Sequence, residues 1–243
     1  SRADEIAEGL ATSVTGSGGQ LCTKPGIAFV PVGAAGDGFV ATLADRMGAA
    51  APSVLLNRKI ATSFGEIRAR LLEAGAAPLA SGPEADGDGF TVPATVLQTT
   101  AAELDADLAE ECFGPLVVVA RYTDASEIDV ALRRIPASLT TTIHLDDADR
   151  AFYESIADAM TATSGRVVFN GFPTGVRVSW AQQHGGPWPA TNTQHTSVGV
   201  TAVRRFMRPV AYQNAPEWAL PAGLRDGDIG IPRRVNGVLT TEA

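Results

Sequence analysis

The chain has 243 residues, enough for one large α/β domain or two small ones, and a composition that is 45% hydrophobic and 19% charged belongs to a packed protein rather than a disordered one. Its formal net charge of −8 comes from scattered carboxylates, with no cluster of Lys or Arg to neutralise a phosphate backbone, which argues against nucleic acid as a partner. Apolar runs such as Leu116 to Ala120 fall far short of the roughly 20 residues of a membrane helix, and Ser1-Arg2-Ala3-Asp4-Glu5 lacks the hydrophobic segment of a signal peptide.

Ile6, Leu10 and Val14 recur every four residues, predicting a helix over Arg2 to Val14 that Gly16-Ser17-Gly18-Gly19 ends. After Cys22 and Pro25, Ile27 to Val32 is a short apolar strand. Helical patterns follow at Gly38 to Met47 and Ser63 to Ala74. Pro78 to Ser81 and Phe90 to Leu97 read as strands on either side of a Gly-, Pro- and Asp-rich turn over residues 82–89. From there the chain alternates: strand Leu116 to Tyr122, helix Ala125 to Arg134, strand Leu139 to Leu145, helix Ala148 to Ala162, strand Arg166 to Asn170. That order argues for parallel strands with helical crossovers. Gly171 to Thr196 has no sustained period and reads as a long functional loop. A short helix over Val200 to Met207, a strand over Pro209 to Tyr212 and a Pro- and Gly-containing tail complete the chain, with one domain the economical count.

The residues with chemistry are few. Cys22 and Cys112 are the two cysteines, a number that suits a reduced, cytoplasmic protein. Two Cys and three His at scattered spacings form no metal-ligand pattern, and no Walker-type phosphate loop is present. Gly18-Gly19-Gln20-Leu21-Cys22-Thr23-Lys24-Pro25 could present a thiol and a backbone N–H to the same substrate oxygen, with Lys24 favouring the thiolate. A small buried hydrophobe after a glycine turn is the plainer reading of the same residues. His184 lies between polar residues and glycine and is read as a base or, more simply, as a turn-stabilising residue. Phe172, Trp180 and Trp188 would wall a pocket mouth, while Arg177 could meet a substrate carboxylate or, more plainly, be a surface residue. His144 and His195 have no partner that the sequence names.

The segment around Cys22 resembles the Gly-Gln-x-Cys active-site motif of the aldehyde dehydrogenases. Glu110-Glu111-Cys112-Phe113-Gly114-Pro115, lying before a strand, is similar to that family's Glu-Glu-x-Phe-Gly-Pro signature. A third match is narrower. Asn170 to Val176, His184-Gly185-Gly186-Pro187 with Pro189-Ala190-Thr191, and Arg208 to Asn214 resemble the 2-oxoglutarate semialdehyde (2,5-dioxovalerate) dehydrogenase branch, where most aldehyde dehydrogenases carry Pro-Phe-Gly-Gly instead.

The resemblance implies a three-layer α/β catalytic-domain fold with a largely parallel sheet, filling residues 1–243. It implies Cys22 as the nucleophile that forms a thiohemiacetal and then a thioester with an aldehyde, with 2-oxoglutarate semialdehyde suggested by the loop. Glu111 would hold a cofactor ribose hydroxyl and Phe113 would pack near the nicotinamide of NAD or NADP. Cys22, Glu111 and Phe113 should then lie on the same side of the sheet, with Cys22 near the start of a strand. A homo-oligomer acting on a small aldehyde is implied as well. The family's dinucleotide-binding domain, glutamate base and oxyanion asparagine precede the nucleophile. A chain without an initiator Met that runs through one helix into Cys22 therefore reads as a piece of a longer enzyme, unable alone to complete the hydride step. From the residues alone, a self-contained thiol hydrolase using Cys22 with His184 and a non-catalytic oligomerisation module stay open.

Overall fold

Helix α1 (Arg2–Thr15) buries Ala7, Leu10, Ala11 and Val14 along one face, so two alanines complete the stripe that Leu10 and Val14 begin. The computed structural model describes residues 2–84, 89–227 and 230–240 of the chain. A short 3₁₀ turn at Gly16–Gly19 follows α1, and then strand β1 (Ile27–Pro31), helix α2 (Ala34–Gly48), strand β2 (Ser53–Val54) and helix α3 (Arg58–Glu73). Asn57 caps α3 by accepting from the Ile60 N–H at 3.1 Å.

Strand β3 (Ala77–Ser81) leads towards the expected turn, part of which, residues 85–88, lies outside the described residues. The single strand expected over Phe90 to Leu97 is two strands, β4 (Thr91–Val92) and β5 (Thr95–Thr100). Pro93 separates them: proline has no N–H for a ladder, and the chain leaves its antiparallel pairing with β2 to enter the central sheet.

Strand β6 (Leu116–Tyr122) has the predicted bounds. The central sheet runs β1-β6-β5-β3, with β1, β6 and β5 parallel and β3 antiparallel at the edge. Leu116 through Ala120 are all buried because both faces of β6 are covered, as a continuous apolar run in a parallel sheet requires. Val117 and Val119 meet α1 and α2 on one face. Leu116, Val118 and Ala120 pack on the other with Phe64 and Leu71 of α3 and with Leu104, Leu108 and Cys112 from the loop after β5. The result is the expected three-layer α/β arrangement.

Helix α4 (Ala125–Arg134) also has the predicted bounds and is capped by Asp124, which accepts from the Ser126 N–H at 2.8 Å. Strand β7 (Thr141–Ile143), helix α5 (Arg150–Thr163) and strand β8 (Val167–Phe169) form a βαβ unit in which β7 and β8 pair in parallel. Both strands are shorter than expected, and β7 hydrogen-bonds to β8 but not to β6, so the alternating segment serves two sheets rather than extending one. Ile128 and Leu132 of α4 and Ile156 and Met160 of α5 share a third cluster that covers this pair.

Two compact units partition the chain, Ser1–Arg205 and Phe206–Ala243. The helix expected over Val200 to Met207 is a 3₁₀ turn at Ala202–Phe206. Pro209 to Tyr212 forms no strand, since among the described residues no backbone pairs with it. That unit contains 3₁₀ turns at Glu217–Ala219 and Ala222–Leu224 and a hairpin of β9 (Arg233–Val235) with β10 (Val238–Thr240). Asn236 and Gly237, both at positive φ, connect the hairpin, the Asn-Gly signal of a two-residue turn.

Candidate active site

The backbone from Leu21 to Lys24 folds into a turn closed by the Lys24 N–H donating to the Leu21 carbonyl at 2.9 Å. Cys22 occupies its second position and is exposed. Among the described residues nothing accepts from the Cys22 backbone N–H, which leaves it free to donate to an oxygen bound beside the sulfur. Gln20 fixes the approach to the turn: its amide donates to the Ser17 carbonyl at 3.1 Å and the Val54 carbonyl at 3.3 Å, and its Oε1 accepts from the Leu56 N–H at 2.8 Å.

The second loop, which carries Glu111 and Phe113, meets the first through backbone. The Gly114 N–H donates to the Gly19 carbonyl at 3.0 Å. A Cβ on Gly19 would lie 2.1 Å from the Gly114 oxygen, and Gly19 has φ +68°, so this approach requires glycine. Lys24 joins the loops again, with Nζ donating to the carbonyls of Cys112 at 3.0 Å and Leu116 at 2.7 Å. Burial lowers the Lys24 pKa from 10.5 to about 8, against the opposing pull of charge at Cys112 and Glu111. The ammonium thus serves the 112–116 backbone rather than the Cys22 thiolate for which the sequence suggested it. Cys112, buried beneath, has its thiol pushed up to about 11 by desolvation.

Because Ile27 of β1 pairs with Val118 of β6, and Thr95 of β5 with Leu116, both loops lie where these parallel strands begin. Cys22, Glu111 and Phe113 therefore share one end of the sheet. The two adjacent glutamates differ sharply. Glu110 is held by Arg70 in a paired contact, Nε to Oε2 at 2.9 Å and Nη2 to Oε1 at 2.6 Å, which lowers its carboxyl pKa. Glu111 is exposed and forms no hydrogen bond among the described residues, so its oxygens remain available as acceptors. Phe113 is half-buried beside it.

A third segment arrives from the long loop after β8. Nε2 of His184 lies 3.6 Å from Sγ of Cys22. The backbone of His184 is held on both sides: its N–H donates to Oγ1 of buried Thr196 at 3.0 Å, and its carbonyl accepts from the Ser197 N–H at 2.9 Å and hydroxyl at 3.0 Å. Gly165 supports the loop from below, since a Cβ there would lie 1.7 Å from the Gly185 oxygen. The turn-stabilising role expected of His184 belongs to its backbone, leaving the ring for Cys22.

Other expectations for this loop resolve differently. Phe172 does not wall a mouth; it packs against the α1 and α2 cluster and stacks on His144 with ring centroids 4.9 Å apart. Burial lowers the His144 pKa. Trp180 and Trp188 are 78% and 77% exposed. Arg177 is exposed and has no ion pair among the described residues. Nothing in the sequence distinguished Gln20 and Lys24 as loop anchors, because their partners lie 34 to 92 positions away. A shallow depression of about 300 Å³ between α1 and α2, bordered by Glu8, Thr12 and Arg46, is separate from Cys22 and crossed by the Arg46–Glu8 ion pair, so it is surface relief rather than a site. Among the described residues no three His, Cys, Asp or Glu side chains are grouped as metal ligands.

The profile of the aldehyde dehydrogenase family matches residues 2–188. The chain is 38% identical to the alpha-ketoglutaric semialdehyde dehydrogenase of Acinetobacter baylyi, covering 98% of this chain and 46% of that protein. It is 35% identical to alpha-ketoglutaric semialdehyde dehydrogenase 2 of Azospirillum brasilense, covering 97% and 46%. The chain thus spans about half the length of these curated relatives. Among solved structures, lactaldehyde dehydrogenase from Escherichia coli superposes with a TM-score of 0.70 at 19% identity, over 88% of this chain and 45% of that one, a likeness of fold.

Proposed function

Since this chain belongs to the aldehyde dehydrogenase family, we propose that it supplies the thiol centre of an enzyme that oxidises a semialdehyde to a carboxylate, with 2-oxoglutarate semialdehyde as the substrate. The observation that supports the reading is the junction of the two loops: Gly19 with Gly114, and Lys24 with Cys112 and Leu116, join the turn of the exposed Cys22 to the loop that carries Glu111 and Phe113. Sγ of Cys22 adds to the aldehyde carbon, and the free Cys22 N–H donates to the oxygen that gains charge. When bound, the nicotinamide of NAD or NADP would accept the hydride whose loss turns the Cys22 thiohemiacetal into a thioester. Water then releases the acid. Glu111, whose oxygens accept from no described residue, fits a ribose hydroxyl, and half-buried Phe113 fits the edge of a nicotinamide ring. Hydride transfer is proposed to need the family's nucleotide-binding and base residues in addition to these. The two free cysteines accord with a cytoplasmic setting.

Acylation by p-nitrophenyl acetate tests the thiol assignment. Release of nitrophenol with one acetyl group mapped to Cys22, and loss of both in Cys22→Ser, is the expected result; persistence in Cys22→Ser and loss in Cys112→Ser would refute it. Normal NAD or NADP reduction by these 243 residues alone would refute the added requirement for hydride transfer.

The Cys22–His184 contact also favours a thiol hydrolase. Among the described residues, however, no carboxylate or amide orients the His184 ring, so the third member of a hydrolase triad is not supplied there. We further propose that the enzyme is a homo-oligomer, supported by the exposed Phe206, Met207 and Trp218 of the second unit, a set of large apolar side chains suited to an interface. Light scattering on the purified chain checks this, with a monomer at micromolar concentration counting against it.

A further inference from the structure

The thiohemiacetal chemistry proposed for Cys22 begins with a thiol, and a free thiol is mostly protonated at neutral pH. Something must hold its proton when the sulfur attacks. The two motif loops do not offer that group. Lys24 is occupied by the carbonyls of Cys112 and Leu116, Glu110 by Arg70, and Glu111 makes no hydrogen bond to Cys22. On the loop that brings in His184, Arg177 is exposed and unpaired among the described residues, and His195 uses its backbone N–H on Thr193. Beneath that loop, Arg166 donates to the Thr174 carbonyl. Of these titratable and charged groups, none but the His184 ring hydrogen-bonds Sγ of Cys22.

We propose that His184 is the proton acceptor of Cys22, an inference that rests on Cys22 being the nucleophile. The S–H bond breaks, its electron pair stays on sulfur, and the proton passes to Nε2 of the neutral imidazole to leave a thiolate beside an imidazolium. The 3.6 Å separation of Sγ and Nε2 is a hydrogen-bond distance for sulfur, longer than one between nitrogen and oxygen, and such nucleophile–base contacts are often looser without substrate. The backbones that carry the two groups are both anchored. The His184 backbone is bound through three hydrogen bonds to Thr196 and Ser197, and Gly185 and Gly186 pack against Gly165 and Ser138, next to the Ser138–Ser164 bridge. The Cys22 turn is fixed in its own right by Gln20 and Lys24. Two independently anchored loops therefore hold sulfur and nitrogen in register, and the long loop supplies chemistry as well as enclosure.

The experiment is the pH dependence of iodoacetamide alkylation of the full chain, followed at Cys22 by peptide mass spectrometry so that buried Cys112 does not contribute. At neutral pH, alkylation of the wild type should exceed that of His184→Gln roughly tenfold, and the two rates should converge in strong base as any thiol ionises. In His184→Ala, added imidazole should restore part of the rate at neutral pH, which a loop damaged by the substitution would not show. Circular dichroism of both variants reports whether the fold is intact. Identical pH profiles in wild type and His184→Gln would overturn the role of His184 while leaving Cys22 as the thiol centre. A Cys22 that resists alkylation even at about pH 10 would overturn both.

Discussion

Replacing Lys24 with methionine removes the cation that clamps the two motif loops. In the native chain burial lowers its pKa from 10.5 to about 8, although Nζ donates to two carbonyls. At about 1.4 kcal/mol for each tenfold change, that gap amounts to roughly 3 kcal/mol opposing folding while Lys24 is charged. Methionine removes this opposition but strands two carbonyl acceptors at a cost of about 1–3 kcal/mol each, so stability at pH 7 should change little. The pH dependence is the sharper readout. As pH rises through about 8 the folded Lys24 loses its proton, whereas the unfolded chain keeps it until 10.5. The unfolded state then binds more protons, and stability climbs by about 1 kcal/mol between pH 8 and pH 9. Cys112 acts in the opposite sense. With its thiol raised from 9.0 to about 11, it stays protonated in the folded state while the unfolded thiol ionises, so its contribution falls between those values. Because the unfolded thiol is already half ionised at pH 9.0, Cys112 offsets part of the rise, and it is the difference between wild type and Lys24→Met from about pH 8 to 9 that isolates Lys24. Urea unfolding at pH 7, 8 and 9, followed by circular dichroism, should show wild-type stability rising relative to that of Lys24→Met by about 1 kcal/mol between pH 8 and pH 9. Equal slopes for the two proteins would refute the buried clamp.

Gly19→Ala should destabilise by more than about 1 kcal/mol, because it forces a side chain at φ +68° against the Gly114 carbonyl; Gly16→Ala, with nothing within 4 Å of the new methyl, is the matched control in the same urea titration. Arg70→Ala breaks a half-exposed ion pair whose attraction is screened by solvent, so the loss of stability should be small. Its effect should vanish in acid, since Glu110, whose pKa is lowered chiefly by its hydrogen bonds to Arg70, contributes above its unfolded pKa and loses that contribution as pH falls through the folded one. Thermal melts at neutral and acidic pH would separate this from a packing defect, which persists at both.

Much of the architecture was legible because it is local. Four-residue spacing marked α1, and the bounds of β6 and α4 followed from a continuous apolar run and a capping aspartate. The misreadings share a cause. Phe90 to Leu97 has strand-forming residues throughout, but Pro93 and two different pairing partners divide it. Pro209 to Tyr212 has the composition of a strand but pairs with no described backbone, while Asn236-Gly237 is a local hairpin signal that the structure bears out.

At the candidate site, the sequence by itself determined the chemical types: one thiol after a glycine turn, a Glu-Glu-x-Phe-Gly-Pro loop, and a long Gly-, Pro- and His-bearing segment. Only the tertiary structure decided how they divide the work. It engaged Glu110 with Arg70 and left Glu111 open, turned Lys24 from a thiolate's counterion into a loop clamp, and packed Phe172 against the core. It also brought His184 to Cys22 across 162 positions. The physical reason is that side-chain chemistry and short-period patterning are carried by neighbouring residues. Hydrogen-bond partners and desolvation depend instead on which distant segments the packed sheet brings together.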